Sequence, residues 1–253
     1  MKKFNLRFLT KPITIVSALG LLAIGALLPA TVFAASSQQT KCGATDLKCV
    51  IAAGDTLITN RLNSLNTLKS KISADLSAHK LTSDQASALQ ADVATNQTGL
   101  SSLKSKLDAE TDVKAARQDV ANIFLQFRIY AVVLPRDYRR IQMDIEINVK
   151  NLMQGFASKI QEAISSAPAN EQAQLNALFS DYQKQVAAAE SQLDTAQQDF
   201  PAMTPENFNQ NRASYESTKT ALDNALKAAR ADLHQAAKDL NEMAHILGIK
   251  KSS

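Results

Sequence analysis

From Asp46 to His79 apolar residues return at helical intervals. Ile58, Leu62, Leu65, Leu68, Ile72 and Leu76 step by three and four, which gathers their side chains on one face of an α-helix. Lys80-Leu81 leads into Thr82-Ser83-Asp84-Gln85, an N-cap cluster with an acid in the first turn. The next stripe is Leu89, Val93, Leu100, Leu103 and Leu107. A turn this short predicts two antiparallel neighbours. Leu65–Ile72 and Leu100–Leu107 echo one another 35 residues apart. Two similar core stripes flanked by solvated lysines explain the echo as well as a repeat does.

The stripe then changes phase. Glu110 and Lys114 stand where apolar residues are due, and the pattern resumes at Val113, Ala116, Val120, Phe124 and Phe127. Asp108, Glu110, Thr111 and Asp112 crowd this point, and acids favour a helix N-terminus, so a break is expected near Thr111. Residues 128–135, Arg-Ile-Tyr-Ala-Val-Val-Leu-Pro, hold a β-branched apolar cluster, Ile129, Val132 and Val133. Pro135 should push Leu134 out of the α region, which predicts a buried chain reversal. Asp137 is expected to cap the next helix, with Ile141, Ile145, Val149, Leu152, Phe156, Ile160 and Ile164 on its inner face.

A fifth helix carries Leu175, Leu178, Tyr182, Val186, Leu193 and Ala196, and Pro201 stops it. Thr204-Pro205-Glu206 should open the last helix, with threonine as N-cap and proline at the first helical position. Leu222, Leu226, Ala229, Leu233, Ala236, Leu240, Met243 and Leu247 then alternate steps of four and three. A strict heptad implies left-handed supercoiled packing. The expected fold is all-α: an elongated antiparallel bundle of five or six long helices with coiled-coil-like packing. Segments of about 30 to 45 residues would be about 45–65 Å long.

The first residues follow another rule. Met1–Lys11 is positively charged, Ile13–Leu28 is apolar, and Pro29 precedes Val32-Phe33-Ala34. This is the pattern of a secretory signal peptide cleaved between Ala34 and Ala35; the alternative is an uncleaved membrane anchor. The expected divisions are a signal peptide at 1–34, a flexible disulfide-bearing segment at 35–45, a helical hairpin and third helix at 46–135, a C-terminal helical part at 136–248 and a tail at 249–253.

Charge changes its meaning once the leader is set apart. The 253 residues carry 28 Lys+Arg and 24 Asp+Glu, a formal charge of +4. Lys2, Lys3, Arg7 and Lys11 account for all of that excess, so the rest is formally neutral with 24 charges of each sign. Attraction to nucleic acid is therefore not expected. Membrane contact is expected only through the leader, if it is retained.

Export makes a Cys42–Cys49 disulfide plausible. Seven residues along one helix would separate the Cα atoms by about 10 Å, whereas a disulfide needs under about 7 Å. Both cysteines cannot therefore lie in one helix. Gly43 permits a turn and Thr45 or Asp46 can cap the helix, so Cys42 can fold back onto its first turn.

Catalytic motifs are missing: no serine elbow, phosphate-binding glycine loop, H-E-x-x-H or C-x-x-C. Glu242-Met243-Ala244-His245 is half of a di-iron ligand set, but no second E-x-x-H exists and the heptad turns Met243 inward rather than His245. No cofactor and no enzyme activity are expected. The candidate site is the stretch with Arg128, Tyr130, Pro135, Arg136, Arg139, Arg140 and Asp144. It reads as a recognition patch for an anionic partner or, preferably, as a structural corner held by ion pairs.

The same stretch carries a resemblance. Arg-Ile-Tyr-Ala-Val-Val-Leu-Pro at 128–135, with Leu-Thr at 81–82 and Leu-Lys-Ser-Lys-Leu-Asp-Ala-Glu-Thr-Asp at 103–112, resembles a family of uncharacterised secreted helical proteins of bacteria over about residues 55–150. It implies an exported α-helical protein and transfers no catalytic residue. The expected function is that of an exported, non-enzymatic bundle at or outside the cell envelope, structural or binding a protein or envelope partner. Self-association through the last heptad is a further expectation, and the alternative function is a small-ligand or metal carrier using the bundle interior.

Overall fold

A computed structural model describes residues 42–249, so the expectations at Ala34 and Ala35 lie outside the described residues. Those described form helices and turns with no strand, and the all-α bundle is the observed class. In chain order they are α1 (Leu47–Ser77), α2 (Ser83–Asp108), α3 (Val113–Asn122), two wide-turned segments (Ile123–Phe127 and Ile129–Val133), α4 (Leu134–Ser165), α5 (Ala169–Asp199), a tight turn (Phe200–Ala202), α6 (Pro205–Gln210) and α7 (Arg212–Ile246).

Two compact units divide these elements: residues 42–148 with 192–227, and residues 149–191 with 228–249. The first unit begins at the disulfide. Cys42 and Cys49 are bonded with Cα atoms 5.6 Å apart, because Cys42 precedes the helix and only Cys49 lies within it. Asp46 is the N-cap, its carboxylate accepting from the Cys49 N–H at 3.0 Å. Arg117 of α3 secures the same loop by donating to the Gly43 carbonyl at 2.7 Å.

Helices α1 and α2 form the expected hairpin. His79 takes the left-handed position after α1, with φ 56°. The Lys80 N–H returns to the Asp75 carbonyl and the His79 N–H to that of Leu76, both at 2.9 Å, a closing pattern that usually uses glycine. Thr82 and Gln85 complete a reciprocal capping box at the start of α2. Ile58, Leu65, Leu68 and Ile72 meet Leu89, Val93, Leu100 and Leu107 in one buried cluster. Each such side chain contributes up to roughly 1.5–3 kcal/mol through its removal from water.

The break near Thr111 is present. α2 ends at Asp108, and Asp112 caps α3 by accepting from the Ala115 N–H at 2.8 Å. The expected reversal at 128–135 is not. Lys106 pairs with Asp119, Gly99 lies against Phe127, Asp92 meets Arg136 and Gln85 bonds to Asn148. As the chain number rises from 119 to 148, its partner on α2 falls steadily from 106 to 85. The stretch therefore runs in one direction along α2.

Roughly 29 residues accompany roughly 21 of α2, and the wide turns take up part of the excess. In them the Val133 N–H reaches back to the Arg128 carbonyl at 3.3 Å and the Leu134 N–H to that of Ile129. Leu134 is α-helical, at φ −59° and ψ −49°, contrary to the expectation from Pro135. A proline ring presses on the carbonyl four residues earlier, and a widened ladder moves that carbonyl aside.

Three further expectations are corrected. Asp137 does not cap α4; it lies inside the first turn and is buried. Leu152 is 40% exposed while its neighbour Met153 is buried. Thr204 and Pro205 open only the short α6; α7 starts afresh at Arg212, with Asn211 accepting from the Ser214 N–H at 3.0 Å.

In the second unit, parts of α4, α5 and α7 share a core. Val149, Met153, Ile160 and Ile164 of α4, Leu175, Phe179, Tyr182, Val186 and Ala189 of α5, and Ala229, Leu233, Ala236, Leu240 and Met243 of α7 are all buried. The Tyr182 hydroxyl donates to the Met153 carbonyl at 2.6 Å, and burial pushes its pKa well above the usual tyrosine value. Lys150 pairs with Glu190 at 2.9 Å.

Candidate functional site

The arginine-rich stretch divides into two parts with different electrostatics, both in the first unit. At its C-terminal end each guanidinium meets an acid. Arg136 bridges Asp92 of α2 and its own neighbour Asp137. Arg139 holds Asp223 of α7 through two contacts, at 2.5 and 2.9 Å, and donates to the Pro135 carbonyl at 2.9 Å. Arg140 spans both oxygens of Asp144 at 3.0 Å and stacks on Phe200, 5.3 Å from the ring centroid. A guanidinium fork facing a carboxylate is among the strongest polar contacts available, and here it ties α4 to α2 and α7.

Burial shapes the titration of these groups. Desolvation pushes the Asp137 carboxyl up to about 7, and Asp92 adds to the rise, while Arg136 pulls against it. One Asp137 oxygen pairs with Arg136 and the other has no hydrogen-bond partner. Asp144 is also raised by burial, against the pull of Arg140. For Arg136, burial works to lower the pKa, but Asp137 and Asp92 outweigh it and the guanidinium ends above its ordinary value. Tyr215 is buried with its hydroxyl unbonded, and desolvation raises it to about 12.

The N-terminal end differs. Arg128 sits between the two wide-turned segments at φ 46° and ψ 36°. Its Nε donates to Asn209 Oδ1 at 2.8 Å, and its guanidinium lies 4.9 Å from the Phe208 ring centroid. Arg212 approaches the same ring at 5.3 Å. Tyr130 accepts a long bond from the Ser64 hydroxyl at 3.3 Å. Its ring faces Arg61 of α1 at 4.9 Å, and Phe124 faces the same guanidinium at 4.6 Å. Arg61 is only 4% exposed. It donates to the Leu57 carbonyl at 2.9 Å, its Nε is unbonded, and burial lowers its pKa.

Of the residues singled out in the sequence, Tyr130 lies against α1, Arg136 against α2, Arg128 against α6 and Arg139 against α7, while Arg140 and Asp144 pair within α4. Sequence reasoning missed Arg61, Asp92, Phe208, Asn209, Arg212 and Asp223. One signal for Arg61 was present: Ile58, Arg61, Leu65, Leu68 and Ile72 step by three and four, so a cation occupies a core position. The others carry no local signal.

Other places hold less chemistry. Among the described residues no three of His, Cys, Asp and Glu converge as a metal site. Glu242 and His245 are both exposed, with Met243 buried between them. A shallow depression of 410 Å³ runs along Leu47, Lys48, Ile51, Ala52 and Asp55; its one carboxylate is engaged by Lys104 at 2.8 Å. None of the described helices is long and apolar enough to cross a membrane. No known family, curated protein or solved structure matches this chain.

Proposed function

We propose that this protein is an exported, non-enzymatic helical bundle that acts at or outside the cell envelope as a structural or partner-binding module. The observation that carries the reading is the Cys42–Cys49 bond closing the loop before α1. Disulfides persist in oxidising compartments and are rare in the cytosol of mesophiles. The bond follows a leader with a charged start, an apolar run and Val32-Phe33-Ala34, the pattern that directs export and ends in cleavage. The arginines of the Arg136–Arg140 stretch are matched by Asp92, Asp137, Asp144 and Asp223, contacts that join helices of the bundle.

Cell fractionation with thiol alkylation and N-terminal sequencing tests the proposal. The protein should be recovered outside the cytoplasm, beginning at Ala35, with neither cysteine alkylated before reduction. Recovery from the cytoplasm with Met1 intact and free thiols would overturn it. A chain that begins at Met1 but is membrane-bound and oxidised would replace secretion by anchoring.

A further inference from the structure

One backbone outlier, two wide turns and an exposed apolar pair fall together in the first unit. Arg128 has left-handed dihedrals, φ 46° and ψ 36°, a conformation that costs free energy in a non-glycine residue and concentrates at functional sites. Wide turns flank it on both sides, and these too are frequent at such sites. Beside it Phe124 and Leu125 are 36% and 45% exposed.

Around this pair stand Arg61, Arg128 and Arg212, and none of the three is in an ion pair among the described residues. Each is instead held on an aromatic ring: Arg61 on Phe124 and Tyr130, Arg128 and Arg212 on Phe208. Asn209 joins the parts. Its Nδ2 donates to the Leu125 carbonyl at 2.6 Å, and its Oδ1 accepts from Arg128.

We propose that Phe124, Leu125, Arg128, Phe208 and Arg212 form a docking surface for a partner-protein segment that carries a carboxylate beside an apolar side chain. The proposal rests on the partner-binding reading above and specifies where and by what chemistry it operates. Charge complementarity selects the occupant. Arg136, Arg139 and Arg140 are already matched by acids of the fold, whereas Arg128 and Arg212 present guanidiniums without a counter-charge. Their orientation is set in advance by Asn209 and Phe208, which lowers the entropy cost of receiving a carboxylate. Arginine and aromatic residues next to aliphatic contact area are the composition of interface hot spots. A lipid surface calls for clusters of four to eight mobile cations, and a hydrophilic polyanion gives Phe124 and Leu125 nothing to bury.

Selection from a random peptide library on the purified, disulfide-bonded protein tests this surface. Enriched peptides should place Asp or Glu beside Leu or Phe. Their affinity should fall about tenfold or more in Arg212→Gln and in Leu125→Ser, as expected for losing one contact of about 1.4 kcal/mol. Both variants should keep the parent's circular-dichroism melt, and Lys184→Gln in the other unit should bind as the parent does. The proposal is overturned by peptides enriched without an acid, by no enrichment, or by affinities indifferent to Arg212→Gln and Leu125→Ser. It is equally overturned if those two variants abolish only binding to phosphatidylglycerol vesicles, or only self-association in sedimentation. A cytoplasmic, reduced protein that still selects acidic–apolar peptides would remove the export reading and leave this surface standing; an exported protein that selects none would do the reverse.

Discussion

Single residues in this bundle are governed by whether a buried polar atom finds a partner. Asp137 is 2% exposed and has one oxygen without a hydrogen bond, and burial, helped by Asp92 and opposed by Arg136, raises its carboxyl to about 7. In the unfolded chain the same group titrates near 3.9. Between about pH 4 and pH 7 the native state therefore holds more protons at this site than the unfolded one, and its contribution to stability falls as pH rises. Asp137→Asn should remove that loss. Its melting temperature relative to the parent should climb from pH 4 to pH 7; a constant difference across that range would refute the assignment. Gly54 poses a steric question instead. A Cβ there would collide with the buried Leu107 and come within 2.9 Å of Val120. Overpacking of this kind costs about 1–3 kcal/mol and exceeds the roughly 1 kcal/mol gained by replacing a helical glycine. Gly54→Ala should accordingly lower stability in chemical denaturation.

At the scale of elements, local chemistry decides where helices start and distant contacts decide the course they follow. α1 is opened by Asp46, the Cys42–Cys49 bond and Arg117 acting on one loop. The bond closes a short loop, so the chain-entropy estimate for removing it is only about 2 kcal/mol. Cys42→Ser with Cys49→Ser should cost about that much. Hydrogen exchange should then show Val50–Gly54 opening ahead of the α1–α2 hairpin; simultaneous opening would mean that the loop supports the whole unit. The wide turns at Arg128 have another origin. Residues 113–148 follow α2 in one direction, with Asp119, Phe127, Arg136 and Asn148 meeting successive positions of that helix. A regular helix of that length would outrun its partner, and the wide turns take up part of the excess.

Across the whole molecule the balance of charge carries a prediction of its own. Beyond Ala34 the cations and anions are equal in number, 24 of each, and Arg136, Arg139, Arg140, Lys104, Lys106 and Lys150 are engaged with carboxylates. Nucleic-acid affinity grows with the number of phosphates that free cations neutralise. The chain starting at Ala35 should therefore pass through a DNA column at about 0.15 M salt, and retention would show that local clusters outweigh the neutral total. The class of fold was legible because amphipathic periods and caps are local signals, as at Thr82, Asp112 and Thr204. The inner face was legible to within one residue: Phe179 rather than Leu178 and Met153 rather than Leu152 are buried. An apolar stripe about 100° wide admits either neighbour, and only the opposing helix selects one.

By itself the sequence determined the helical class, the hairpin at Lys80–Thr82, the break before Asp112, the non-helical placement of Cys42 and the neutrality of the chain beyond Ala34. Each follows from spacing, capping chemistry or a count, all properties of residues close together in the chain. The tertiary structure alone decided that Arg136 and Arg139 are matched by Asp92 and Asp223, that Arg61 is enclosed between Phe124 and Tyr130, and that Arg128 and Arg212 share Phe208 without an acid. Apart from Arg212 and Phe208, which are neighbours in the chain, these partners lie tens of residues away. Charge pairing has no period along the chain, so which acid neutralises which arginine is settled only when packed helices bring them within reach.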